Sequence, residues 1–87
     1  MKVRVLGTKE VDYTNRNGQR IQGVDIYGAF KDAIITGEAV DRIFISDNLQ
    51  VQGIHQVQPG ATLDIQFGNR AYNNRPMVVG VDILSNK

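Results

Sequence analysis

Short stretches in which apolar and polar residues alternate run through most of this chain, and no stretch keeps the period of an amphipathic helix. The clearest alternation lies in residues 61–67, where Leu63, Ile65 and Phe67 face one way and polar residues face the other. Turn residues separate these stretches, and the strongest turn is Asn-Arg-Asn-Gly at 15–18, because Asn-Gly tolerates the positive φ of a tight hairpin. The pattern predicts an all-β fold.

We expect one domain over residues 1–87 with five or six strands joined by short turns. A small five-stranded oligonucleotide-binding (OB-like) barrel with two protruding hairpins fits best, since closure of a sheet removes its unpaired edges. Gly23 predicts a bulge or a close backbone approach inside the second strand. The segment 31–39 could turn or begin a short helical piece, and the register of residues 31–58 is left open. Extended segments are predicted at 2–13, 19–30, 40–46, 49–57, 61–67 and 77–84, with a polar loop at 68–76.

The chain contains no cysteine, which excludes disulfides and cysteine-based metal sites. Small secreted domains often need such cross-links, so their absence favours a cytoplasmic location. The first residues do not resemble a signal peptide, and no run of about 18 apolar residues predicts a membrane-spanning helix. A core this small, without disulfides or metal, is often completed by a partner subunit, so we expect a homo-oligomer rather than a monomer.

Catalytic signatures are weak in this sequence. His55 is the single histidine, and no second histidine or cysteine stands at ligand spacing. We interpret it as a partly exposed strand or turn residue, with a metal or general-base role as the minor alternative. Neither a phosphate-binding glycine loop nor a nucleophile-elbow motif is present. The chain is therefore predicted not to be an enzyme, and no cofactor, metal or small-molecule substrate is expected.

Charge is unevenly distributed, although the net charge is only +1. Residues 13–24 and residues 65–81 contain arginines and no acid. Residues 25–47 contain five acidic residues against one lysine and one arginine. The two acid-free stretches are the candidate surfaces for a polyanion, and the segment between them is a candidate surface for a protein partner.

The loop sequence around Tyr72 combines an aromatic ring with cations. Arg70 and Arg75 flank Tyr72 among amide side chains. Proteins that bind single-stranded nucleic acid combine cations that follow the phosphates with aromatic rings on which bases stack. Tyr72 is thus a candidate stacking residue; alternatively, its ring folds back onto its own hairpin and the arginines keep the loop soluble.

The other aromatic residues are harder to assign. Tyr13 and Tyr27 stand near the first basic stretch and could stack on bases, but aromatic residues are also common in strands, and we favour packing within the sheet for both. Arg16 and Arg20 flank the Asn-Gly turn, where they could contact phosphate or simply be solvated. Three phenylalanines are expected in the core: Phe30, Phe44 and Phe67.

Two segments resemble the gene V type single-stranded DNA-binding proteins of filamentous phages. Residues 13–23, Tyr-Thr-Asn-Arg-Asn-Gly-Gln-Arg-Ile-Gln-Gly, are similar to the DNA-binding hairpin of that family. Residues 59–84, which start with Pro-Gly and contain the polar loop, are similar to its final hairpin. Together these segments cover roughly half the chain, in the same order and with similar spacing. The resemblance implies an OB barrel, a homodimer and cooperative coating of single-stranded DNA during phage DNA replication in a bacterial host cell.

The resemblance also implies roles for individual residues. Arg16 matches an arginine that contacts phosphate, and Arg20 lies one position from a second. Tyr72 matches an aromatic residue at the tip of the final hairpin that stacks on bases, and Tyr27 lies one position from a tyrosine of the family. The sequence departs from the family at residues 24–26, Val-Asp-Ile, where the family carries a basic residue and a proline. It departs again at residues 79–82 of the final strand, where a basic side chain is expected.

The leading hypothesis is a non-catalytic protein that binds single-stranded DNA, with RNA as a variant. Four phosphate contacts per protomer would give a log–log salt slope of about −2.8. The alternative is a protein-interaction barrel, an accessory of replication or plasmid maintenance that does not bind nucleic acid. Six residues are the predicted nucleic-acid contacts: Arg16, Arg20, Tyr27, Arg70, Tyr72 and Arg75.

Overall fold

A computed structural model describes the backbone of residues 1–72 and 75–86, and the side chains of residues 1–68 and 77–86. Five strands and two short 3-10 helices make up this part of the chain. The 3-10 helices Asp47–Leu49 and Ile54–Gln56 both lie between the third and fourth strands. The strands are β1 (Lys2–Thr14), β2 (Arg20–Lys31), β3 (Glu38–Ser46), β4 (Thr62–Tyr72) and β5 (Arg75–Ser85).

All five strands form one antiparallel sheet in the order β3-β2-β1-β4-β5. The prediction of an all-β fold is confirmed. The sheet is compatible with a small barrel but is not closed, since no ladder joins β3 to β5 in the described part of the chain. The connection between β3 and β4 contributes to packing: Leu49 and Val51 pack against the core, and Gly53 approaches the side chain of Ile83 on β5.

Most of the core comes from apolar residues that alternate along the strands, and Ile54 and Val57 of the β3–β4 connection complete it. Every buried residue in the described part is apolar or glycine, which leaves no buried charge without a partner. Twelve residues form the central cluster: Val3, Val5, Val24, Ile26, Ile43, Ile45, Ile54, Val57, Ala61, Leu63, Ile65 and Val81. The surface of the sheet that carries these side chains is called the core side below, and the opposite surface the outer face.

A bulge in β1 changes which residues reach the outer face. Val5 pairs with Gly28 and Gly7 pairs with Tyr27, so Leu6 is an extra residue on β1. Because side chains alternate along a strand, one extra residue moves all later side chains to the other face. Beyond the bulge the odd-numbered residues of β1, including Tyr13, therefore share the outer face with Tyr27.

Two predicted segments differ from the structure. Residues 49–57, predicted to be extended, are not a strand. Gln50 adopts a positive φ and ends the first 3-10 helix, and Gly53 adopts a positive φ just before the second. The predicted polar loop at 68–76 is also wrong for most of its length, because β4 continues to Tyr72 and β5 begins at Arg75. Ladder pairing of the backbone extends this hairpin further than its polar composition indicates.

The segment 31–39, which the sequence leaves ambiguous, is a turn. Asp32 Oδ1 accepts a hydrogen bond from the Ile34 amide, and Gly37 adopts a positive φ before β3 begins. Of the residues that the structure describes, none form a helix long and apolar enough to cross a membrane.

Candidate nucleic-acid interface

The outer face of β1, β2 and β3 carries aromatic and basic side chains in register. Phe44 stands opposite Asp25, and Arg42 stands opposite Tyr27. On the β1 side, Tyr13 pairs with Ile21, Val11 with Gly23 and Lys9 with Asp25. Residues directly opposite each other in an antiparallel pair point to the same face, so all of these belong to one surface.

The ring of Phe44 packs over Gly23, which has no side chain. A Cβ on Gly23 would lie 2.8 Å from Phe44 Cε1 and Cζ, so the ring covers the space that a side chain at position 23 would fill. The exposed fraction of Phe44 is 36%, and that of Tyr13 is 55%. Both rings line an open groove together with Val11, Ile21, Asp25 and Arg42. This groove offers aromatic surface to a ligand without a conformational change.

Tyr27 lies further along the same face and is half-buried. Its neighbour on β1 is Gly7, where an added Cβ would have no atom within 4 Å, and its neighbour on β3 is Arg42. The Arg42 side chain is exposed and has no ion-pair partner among the side chains of residues 1–68 and 77–86. Arg42 is therefore available to a phosphate next to a tyrosine ring.

An ion pair marks one end of this surface. Arg4 of β1 and Glu38 of β3 are 2.6 Å apart, and they reach each other across β2. Ala29 on β2 is opposite both Arg4 and Val40, and only 3% of it is exposed although it stands on the outer face. The Arg4–Glu38 pair thus covers the strand beyond Tyr27 and leaves the aromatic part of the face open.

At the other end, Arg16 sits in the loop of the β1–β2 hairpin. Asn15 organises this loop, because its Oδ1 accepts hydrogen bonds from the amides of Asn17 and Gln19. Gly18 has a φ of 79°, as expected for the left-handed residue of a three-residue hairpin loop. Arg16 is exposed and makes no ion pair within the described side chains.

Arg20 is placed differently. It pairs with Thr14 on the core side of the hairpin, away from Tyr13 and Ile21. Its Nε and Nη2 donate to the two Asp12 carboxylate oxygens at 3.0 and 2.9 Å. These hydrogen bonds lower the pKa of the Asp12 carboxyl and raise the pKa of the Arg20 guanidinium. Arg20 is thus already paired with a carboxylate, unlike Arg16.

The remaining predicted contacts belong to the second hairpin. Tyr72 ends β4 and pairs with Arg75 at the start of β5, while Arg70 lies two residues earlier in β4. The side chains of these three residues lie outside the described part of the structure. Their backbone positions place them near the connection between strands 4 and 5, which with the connection between strands 1 and 2 forms the ligand-binding loops of OB folds.

Sequence reasoning missed two residues of this surface. Phe44 was expected in the core, and this is wrong because neighbouring residues Ile43 and Ile45 take the buried side of β3. The alternation of these three residues was a usable signal. Phe67 is also exposed by 36%, whereas Phe30 does pack against the core. No sequence motif predicts a contact role for Arg42, because its position beside Tyr27 depends on the register of β2 with β3.

The acidic residues of 25–47 do not all present free carboxylates. Asp32 accepts from the Ile34 amide, and Asp41 accepts from the Arg42 amide. Glu38 pairs with Arg4, and Asp47 contacts His55. Only Asp25 stands on the outer groove, opposite Lys9. This stretch therefore gives little support to a continuous acidic docking surface.

His55 occupies the second 3-10 helix, as expected for a turn histidine. Its two ring nitrogens contact Glu10 and Asp47 separately, so the carboxylates do not converge on one point. No group of three or more potential metal ligands is found in the part of the chain that the structure describes.

Comparison of the chain with protein-family models, curated proteins and solved structures finds no match. The likeness to the gene V type proteins therefore stays a prediction.

Proposed function

We propose that this protein binds single-stranded DNA on the outer face of β1–β2–β3, with RNA as an alternative ligand, and that it is not an enzyme. The observation that carries the proposal is the open groove in which Tyr13 and Phe44 lie beside Arg42. The face of strands 2 and 3 is the surface on which OB folds bind oligonucleotides. Aromatic rings next to unpaired arginines are the chemistry that such ligands require.

The outer face is long enough for a short segment of nucleic acid. From Ile21, which pairs with Tyr13, to Tyr27, which pairs with Gly7, the face spans six residue steps of β2, or about 20 Å of strand. Bases stack on the rings of Tyr13, Phe44 and Tyr27, each contributing about 1–3 kcal/mol. Arg16 and Arg42 neutralise phosphates, and Arg70, Tyr72 and Arg75 extend the contacts from the second hairpin.

Asp25 influences how the ligand lies. Its carboxylate stands on the outer groove and repels phosphate. We infer that bases cover the centre of the face, where the rings are, and that phosphates follow its margins. With a net charge of only +1, stacking supplies much of the affinity.

The proposal is tested by anisotropy of a fluorescent single-stranded oligonucleotide at salt concentrations from about 50 to about 200 mM. We expect binding with a log–log salt slope of about −2.8, from phosphate contacts of Arg16, Arg42, Arg70 and Arg75. Duplex DNA should compete poorly, because paired bases cannot stack on the rings. Absence of binding at low salt, or equal competition by duplex, would contradict the proposal.

Replacing Asp12 with asparagine should strengthen binding. The substitution removes the carboxylate that holds Arg20 on the core side, and the freed guanidinium, next to the loop that carries Arg16, can then turn to a phosphate bound at that end of the hairpin. We expect tighter binding at low salt and a salt slope steeper by about 0.7, the contribution of one contact on a single strand. Asp41→Asn is the matched control, since it makes the same charge change at an acid that has no arginine side chain as partner. Equal effects of the two variants would show that net charge alone is responsible.

The homodimer, the role in phage DNA replication and the cytoplasmic location are further parts of the same proposal, and they are supported by the sequence alone. The alternative, a protein-interaction module, is not favoured by the placement of the acidic residues. It would gain support from a stable protein complex at high salt together with no binding to any oligonucleotide.

A further inference from the structure

His55 joins two parts of the molecule that meet at the edge of the core. Nδ1 lies 2.8 Å from Oε2 of Glu10 on β1, and Nε2 lies 2.6 Å from Oδ1 of Asp47 in the connection between β3 and β4. Glu10 pairs with Val24 on β2. Between Val24 and the hairpin loop, no other residue of β2 on the core side is buried. The contact therefore lies at the base of the β1–β2 hairpin.

Beyond Glu10 and Val24, toward its loop, the hairpin packs no buried side chain against the core. Its next core-side residues are Asp12, Thr14, Arg20 and Gln22, all exposed. Arg20 and Asp12 bind each other and not a residue outside the hairpin. Of the described ion pairs, the one that ties this hairpin to the β3–β4 connection is made by His55.

Both contacts can be satisfied only by the protonated ring. A neutral imidazole carries one N–H, so its other nitrogen would direct a lone pair at a carboxylate oxygen. The imidazolium donates from both nitrogens. We propose that His55 is a pH-dependent latch that fixes the base of the β1–β2 hairpin when protonated and releases one of the two carboxylates when it loses its proton.

The charged surroundings agree with this assignment. Glu10 from β1 and Asp47 from the first 3-10 helix are the titratable groups in contact with the ring, and β2 contributes the apolar Val24 on this side. Toward the hairpin loop, the other charged residues on the core side, Asp12 and Arg20, are paired with each other, and Lys9 and Asp25 lie on the outer face. Hydrogen bonds to Asp47 and then to Glu10 raise the pKa of His55 above its usual value of about 6.5.

The sign of the pH effect follows from the raised pKa. The folded state holds the proton more tightly than the unfolded chain, so the latch contributes its full stability below about pH 6.5. That contribution is lost as the pH rises through the pKa of folded His55. The proposal concerns hairpin motion and does not depend on the proposed ligand.

The test combines two measurements on the full chain without ligand. NMR titration of the ring nitrogens is unambiguous because the chain has one histidine. We expect a pKa above about 6.5 and, as the pH rises through it, a loss of about fivefold in the hydrogen-exchange protection factors of hairpin amides, the scale of exposed ion pairs. His55→Gln should remove this pH dependence, while Asp41→Asn, an acid away from the ring, should keep it.

A His55 pKa at or below about 6.5 would overturn the proposal. The same follows if hairpin protection depends on pH equally in the wild type and in His55→Gln. Should His55→Gln fail to fold, Glu10→Gln provides the second variant, and it must lower the His55 pKa and weaken hairpin protection at low pH.

Discussion

The double variant Phe44→Ala, Tyr27→Ala is expected to bind single-stranded DNA on the order of a hundredfold more weakly than the wild type. Each ring offers a stacking surface on the outer face, and loss of one stacked base costs about 1–3 kcal/mol. About 1.4 kcal/mol corresponds to a tenfold change in affinity, so two rings account for the estimate. Anisotropy at constant salt measures the effect, with circular dichroism and thermal unfolding to show that the variant is folded.

Phe67→Ala is the matched control for Phe44→Ala. The two phenylalanines have the same exposed fraction, 36%, but Phe67 follows the alternation of the buried Leu63 and Ile65 and so belongs to the core side. We expect the loss of affinity in Phe67→Ala to be clearly smaller. Equal losses in the two single variants would contradict the assignment of the binding surface to the outer face.

Gly23→Ala should lower the free energy of unfolding by about 2–3 kcal/mol, the upper part of the range for overpacked sites. A Cβ at this position would overlap the backbone carbonyl oxygen of Ile45 as well as the ring of Phe44. The carbonyl belongs to the β2–β3 ladder and cannot move without disturbing it. Urea unfolding followed by circular dichroism gives the measurement.

Gly7→Ala is the control for this substitution. Gly7 also lies in a strand, but an added Cβ would meet no atom within 4 Å. Its substitution should change stability by less than about 1 kcal/mol and in the favourable direction, because alanine restricts the unfolded chain. If Gly7→Ala were as destabilising as Gly23→Ala, then the close approach at position 23 would not be the cause.

The strands were largely predictable because their apolar residues alternate and their turns carry strong signals. Asn-Gly at 17–18 predicts the first hairpin, and Gly23 correctly predicts a close backbone approach. The connection after β3 was not predictable in the same way. Its first 3-10 helix ends at a left-handed Gln50, a conformation that sequence rarely indicates outside glycine and asparagine.

The site was predictable only in part. Arg16 and Tyr27 are contacts predicted from the sequence; the structure places Tyr27 on the outer face and Arg16 in the loop of the β1–β2 hairpin, and their roles in binding stay predictions. Arg42 and the contacts of His55 were not identified, because they depend on strand register and on residues 45 positions apart in the chain. The bulge at Leu6 also mattered, since it decides which face Tyr13 occupies.

The most direct test of the central claim is an NMR titration of the aromatic rings with a short single-stranded oligonucleotide at low salt. The chain has three tyrosines and three phenylalanines, so each ring can be followed. We expect the ring protons of Tyr13, Tyr27 and Phe44 to shift upfield as bases stack on them, while those of Phe30 change little. Unchanged shifts of the three outer-face rings at saturating oligonucleotide would contradict it.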